Sequence, residues 1–156
     1  MALYDRDFVA WSKQQAEALR AAARSGSNQR LDWQNLAEEI EGLGISQRSA
    51  LRSQIRRIIR HLIKLEHSRA IEPRRGWVES TGDARAEIED LLEISPSLKT
   101  ELDRDIAVQT KRAIELAIRD LRGHDEIQDA DLPRLRGASY TAEQIFGDWF
   151  PEEPPR

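Results

Sequence analysis

The feature that most constrains this chain is an apolar stripe running from Trp33 to Leu65. Trp33, Leu36, Ala37, Ile40 and Leu43 recur at the three- and four-residue spacing that lines one face of a helix. Leu51, Ile55, Ile58, Leu62 and Leu65 repeat the alternation, with Ile59 and Ile63 widening it. Leu51 follows Trp33 by about five full turns at 3.6 residues per turn, so the two halves are in phase. A true break would leave that phase arbitrary. The spacing therefore predicts one long helix through Gly42 and Gly44, bent or loosened there.

The other periodicities are helical too. Phe8, Trp11, Ala18, Leu19 and Ala22 predict a helix from about Asp5 to Ala23, ended by the breaker Ser25-Gly26-Ser27-Asn28. Asp32 is placed to cap the long helix, and Ile71-Glu72-Pro73 to end it, because a residue before proline is pushed out of helical geometry. Trp77, Ala84, Ile88, Leu91 and Leu92 define a further helix, weakened at Gly82 by about 1 kcal/mol. Ser95-Pro96 reads as a cap and restart for a helix from Leu98 to Leu121 that closes near Gly123. Residues 123–140 are polar, contain Pro133 and read as loop. Thr141 and Gln144 form a capping box for a short last helix, after which Trp149, Phe150 and Pro151 are expected to be pinned on the bundle. No period-two run appears. The expected fold is all-α, a single-domain helical bundle of about four to five main helices plus a short C-terminal helix, spanning 1–151 with 152–156 as a disordered tail.

Composition narrows the function. At 156 residues the chain is long enough to bury roughly 70% of its unfolded surface without staples. It has no cysteine, which excludes disulfides and thiolate metal sites and suits a reducing cytoplasm. No apolar run approaches the roughly 20 residues of a membrane span, and the first residues lack a signal peptide's basic head and apolar stretch. The net charge of −4 argues against a dedicated nucleic-acid binder. Its distribution is uneven, however. Arg48 to Arg75 holds nine Lys or Arg against Glu66 and Glu72, a local +7 that leaves −11 for the remainder. This basic stretch is expected to lie against the acidic helix around Glu79 to Asp105.

Two constellations carry possible chemistry. Glu38-x-x-Glu41 and Glu87-x-x-Asp90 resemble the paired acidic motifs with which all-helical nucleotide pyrophosphatases hold Mg²⁺. Against that, Glu38 points away from the apolar stripe, and the two motifs are separated by the whole basic helix. Arg56-Arg57-Ile58-Ile59-Arg60-His61 resembles the Arg-and-His motif of small helical RNases, where guanidinium steadies phosphate charge and imidazole moves a proton. Arg56 and His61 stand about 140° apart on an ideal helix, whereas Arg57 and His61 share a face. Glu66 projects near the centre of the apolar stripe, where a carboxylate is costly unless the helix ends or a partner such as an Arg or a tryptophan N–H meets it.

The block Leu31-Asp32-Trp33-Gln34-Asn35-Leu36-Ala37-Glu38-Glu39-Ile40-Glu41 then acquires a second meaning. With His61-Leu62-Ile63-Lys64, Ser95-Pro96-Ser97-Leu98, Tyr140-Thr141-Ala142-Glu143-Gln144 and the opening Leu3-Tyr4, Asp7-Phe8 and Ala10-Trp11, it resembles the bacterial family catalogued as domain of unknown function 29. The resemblance covers nearly the whole chain and implies an all-helical fold with no assigned activity. The family tends to place an aromatic and a glutamine where this chain has Leu65-Glu66.

The first-ranked reading is thus a small cytoplasmic helical protein of unassigned function, acting through an unknown protein partner or self-association, with no membrane. Second stands a phosphoester-cleaving enzyme using Arg57, His61 and Glu66, or Glu38, Glu41, Glu87 and Asp90. No cofactor is expected, and Mg²⁺ enters only with the pyrophosphatase-like alternative. Nucleic-acid contact through residues 48–75 ranks last.

Overall fold

In the computed structural model, which describes residues 1–26 and 30–154, every regular element is helical. A single turn, α1 (Leu3–Arg6), precedes α2 (Phe8–Arg24). Asp7 caps α2 by accepting from the Ala10 amide at 2.8 Å. Helix α3 runs Trp33–His67 without a break, and Asp32 accepts from the Asn35 amide at 3.2 Å at its start. Helix α4 (Glu72–Ile94) carries Pro73 in its first turn, where the missing N–H would have had no partner anyway. A 3₁₀ stretch, Pro96–Glu101, leads into α5 (Leu102–Gly123), and a 3₁₀ turn, Asp129–Asp131, into α6 (Leu132–Arg136). The order closes with α7 (Ala142–Phe146). Among the described residues no helix is long and apolar enough to cross a membrane.

The all-α expectation is therefore borne out, and the phase argument for one long α3 holds through both glycines. Four local readings change: to begin with, the long helix ends at His67, ahead of Ile71-Glu72-Pro73, and Glu72 opens α4 although it precedes a proline. The helix expected to start near Asp5 starts one residue after the Asp7 cap. Ser95-Pro96 restarts the chain in 3₁₀ rather than α geometry. Residues 123–140 are not all loop, because α6 accommodates Pro133 in its first turn, the one place where proline and helix agree. The capping box at Thr141 is present, with Thr141 Oγ1 accepting from the Gln144 amide at 3.2 Å and Gln144 Oε1 from the Thr141 amide at 2.9 Å. Part of the expected 25–28 breaker, Ser27 and Asn28, and part of the expected tail, Pro155 and Arg156, lie outside the described residues.

The backbone groups into two compact units: residues 1–51 with 89–100, and residues 52–88 with 101–156. In the first, polar groups hold the elements. Ser95 Oγ accepts from the Val9 amide at 3.3 Å, one of the donors a helix start leaves without a partner, and donates to Gln47 Oε1 at 2.7 Å. Asp7 also accepts from the Ser97 amide at 2.6 Å and from Ser97 Oγ at 2.9 Å. Helix α2 approaches α3 closely at Gly44, where an added Cβ would run into Ser12 Oγ; at Gly42 nothing stands within 4 Å of one. The second unit rests on aliphatic packing instead. Ile55, Ile58, Ile59, Leu62 and Ile63 of α3 are wholly buried, with Ala84, Ala113, Ala117, Leu135 and Ile145. Complete burial of one such aliphatic side chain contributes about 1.5–3 kcal/mol.

Candidate functional site

The polar side of α3 in the second unit faces α5, and three rungs connect them. Arg52 Nε donates to Asp105 Oδ1 at 2.7 Å, Arg56 Nη1 to Gln109 Oε1 at 2.9 Å, and Arg60 forks onto both oxygens of Asp120 at 2.7 Å each. Lys64 stands 3.4 Å from Asp120 and 4.4 Å from the centre of the Trp77 ring. Asp105 and Gln109 are 2% and 1% exposed, so each rung gives a buried polar group a partner, although Asp105 Oδ2 has none. The basic segment is thus partly paired within the fold. Asp105 belongs to the acidic stretch expected to meet it, whereas Asp120 lies beyond that stretch.

Over these rungs lies an open groove of about 940 Å³, lined by Arg56, Lys111, Arg112, Glu115, Leu116, Ile118, Arg119 and Arg122. It adjoins a pocket of about 240 Å³ that shares Arg56 and Leu116 and adds Ser53, Arg57, Arg60 and His61. Among the described residues, Arg57, Lys111, Arg112 and Arg119 have no carboxylate partner. Arg122 pairs with Asp129. The single acid of the lining, Glu115, lies 3.5 Å from Arg136, which offsets its charge. The groove is therefore strongly positive, and it has no aromatic side chain in its lining. Sequence reasoning passed over Lys111 and Arg112. The signal for Lys111 was available: Lys111, Glu115, Arg119 and Arg122 follow helical spacing on the face of α5 opposite its apolar stripe.

The sequence candidates are distributed over separate surroundings. Arg57 and His61 line the same pocket. Burial, with Lys64, Arg60 and Arg57 nearby, pushes the His61 imidazole down to about 4, so it is neutral at pH 7. Its Nε2 lies 3.2 Å from Ser80 Oγ, while Nδ1 is sealed from solvent without a partner. Neither ring nitrogen is presented to a phosphoester in the pocket. Glu66 lies elsewhere, on the last turn of α3, accepting a 2.6 Å hydrogen bond from Tyr140. Of the two alternatives expected, the ending of the helix holds, since α3 closes at His67, and the partner Glu66 meets is a phenol rather than an Arg or a tryptophan N–H.

The four acidic candidates are each occupied locally or exposed. Glu38 accepts from Gln34 at 2.7 Å, Glu41 pairs with Arg20 at 2.6 Å, Glu87 accepts from Gln54, and Asp90 is exposed. The Arg20 hydrogen bond holds the Glu41 carboxyl below its ordinary value. Among the described residues no group of three or more His, Cys, Asp or Glu is arranged to hold a metal ion.

Residues 3–150 match the family described as domain of unknown function DUF29. In structure the chain is similar to an α-helical protein of unknown function from Rhodospirillum rubrum, with 26% identity and a TM-score of 0.72 over 94% of this chain and 90% of that one. No curated protein matches the sequence.

Proposed function

The chain belongs to the DUF29 family, an all-helical group without assigned activity, and from that premise we propose that it binds the phosphate backbone of a nucleic-acid duplex through the α3–α5 groove. The observation that carries this reading is the set of four cations, Arg57, Lys111, Arg112 and Arg119, that no carboxylate among the described residues answers. The fold pairs Arg52, Arg60 and Lys64 with acids, so leaving Lys111, Arg112 and Arg119 unanswered in the groove and Arg57 in the pocket that adjoins it is a difference in kind. A groove without aromatic rings has nothing on which unpaired bases stack, which favours backbone contact with a duplex over capture of a single strand. The acidic remainder of the chain repels the polymer elsewhere and confines contact to this face. The withdrawn nitrogens of His61 support binding over cleavage. Absence of cysteine fits a reducing, cytoplasmic setting.

Fluorescence anisotropy with a labelled 20-base-pair duplex tests the reading. Four neutralised phosphates give a slope of log affinity against log salt of about −3.6. The double variant Lys111→Glu, Arg112→Glu is expected to abolish binding while keeping the wild-type melting temperature. No binding at 20 mM salt, where electrostatic affinity is greatest, would remove the proposal.

A second reading, contact with a protein partner or a second copy, rests on the first unit. Leu36 and Leu43 are 40% and 49% exposed, and Ile40 between them is half-buried. Light scattering after size exclusion decides the self-association form: a strict monomer at high concentration counts against it.

A further inference from the structure

Independently of the basic groove, the second unit holds a smaller site around the end of α3. Arg85, only 7% exposed, donates to the carbonyls of Ile145, Gln144 and Trp149 at 2.9, 2.9 and 2.8 Å, and its guanidinium stacks on Phe150 at 4.7 Å. A buried charge spent on three carbonyl contacts fixes the backbone of a short segment in place. What that segment presents outward is Trp149, whose large apolar side chain stays 38% exposed. The ring of Tyr140 stands 6.2 Å away, tilted by 49°, and its hydroxyl donates to Glu66 at 2.6 Å. These three residues line one cavity of about 500 Å³ with His67, Arg134 and Gln144.

The charge of this cavity is negative. Arg134 is 3.7 Å from Asp131, which offsets it. Burial lowers the His67 imidazole, leaving it neutral at pH 7. The His67 side chain is 5% exposed and its Nδ1 has no partner, so a buried polar group stands unanswered at the site. Glu66 supplies the remaining charge. Tyr140 donates to its Oε2, the His67 Nε2 stands 3.9 Å from the same oxygen, and the carboxylate remains 44% exposed.

We propose that Trp149, Tyr140 and Glu66 form a binding site for a small organic ammonium ion, with the ring faces taking the cation and the carboxylate balancing its charge. Two aromatic rings beside one carboxylate, held by a segment already ordered, is what recognition of quaternary ammonium groups requires. A methylammonium face is broad and weakly hydrated, so it gains from the indole surface in a way a compact metal ion does not.

Calorimetric titration of the full chain with choline and with tetramethylammonium tests this, using sodium chloride at matched ionic strength as the blank. The expected result is a saturable heat, with 3,3-dimethyl-1-butanol, the uncharged isostere of choline, at least tenfold weaker. Trp149→Ala is expected to lose at least tenfold in affinity, and Glu66→Gln about the same. Glu66 is exposed, so the second variant retains the fold if the first does not, and circular dichroism melts verify this. No saturable heat overturns the proposal. So does equal affinity for the uncharged isostere, or wild-type affinity in Glu66→Gln.

Discussion

The first unit, residues 1–51 with 89–100, and the second, residues 52–88 with 101–156, use the same long helix in different ways. In the first, α3 buries Ala37, Gly44 and Leu51 but leaves Leu36 and Leu43 at the edge of the stripe exposed. In the second, every apolar position from Ile55 to Leu65 on the stripe is buried. The first unit substitutes directional polar contacts, such as Ser95 to Gln47 and Asp7 to Ser97, for apolar area. An in-phase stripe therefore says which face of a helix turns inward. It does not say how much of that face is covered.

Alanine replacement separates the two halves most sharply. Ile59→Ala is expected to cost about 2–5 kcal/mol in chemical denaturation, since the side chain is wholly buried and its loss leaves a cavity. Leu43→Ala should stay within about 0.5 kcal/mol. Equal losses would mean that the exposed edge is covered in solution, which would support the self-association reading.

A smaller effect comes from pH. The folded state holds His61 with its proton affinity lowered to about 4, amid Lys64, Arg60 and Arg57 and facing Asp120. The unfolded chain titrates near 6.5 and so binds more protons between those values. Stability is full above pH 6.5 and falls as the pH drops toward 4. The expected loss is about 1–2 kcal/mol, reduced from the full linkage value because the ring is only half-buried. His67, also lowered, acts in the same direction. In His61→Gln the dependence between pH 6.5 and 4.5 should shrink but persist; an unchanged profile would show that His61 is not its source.

The smallest test lies within the first unit. Gly42→Ala should stabilise by about 0.5–1 kcal/mol, because a helix interior prefers alanine and nothing occupies the space. Gly44→Ala should give no such gain, because the new methyl displaces the Ser12 hydroxyl from its 2.9 Å bond to the Val9 carbonyl. Thermal melts of the pair read the difference directly.

The helices were legible because periodicity is a property of neighbouring residues. The phase relation between Trp33 and Leu51, the Asp32 cap and the Thr141 capping box all follow from spacing within one segment. Partners distant in sequence were not legible. Nothing local distinguishes Arg60, neutralised by Asp120, from Arg57, which meets no carboxylate, although they are three residues apart. The same holds for Arg85, whose role depends on carbonyls about 60 residues later. Glu66 was identifiable as anomalous from its position on the stripe, but Tyr140 as its partner was not. Arg57 and His61 were correctly placed on one face, and only the folded chain reveals that the imidazole is turned to Ser80.

The rungs under the groove also act as a register key. Arg52 meets Asp105 and Arg56 meets Gln109, one turn further along both helices. Sliding α5 by one turn in one direction would set Arg56 against Ala113; in the other it would set Arg60 against Leu116. Either displacement takes Arg60 away from its two-oxygen contact with Asp120, a loss of about 1 kcal/mol for a partly exposed pair. The rungs therefore favour one register of the two helices. On the proposed reading, a bound duplex would therefore meet cations carried by two helices whose register is already set.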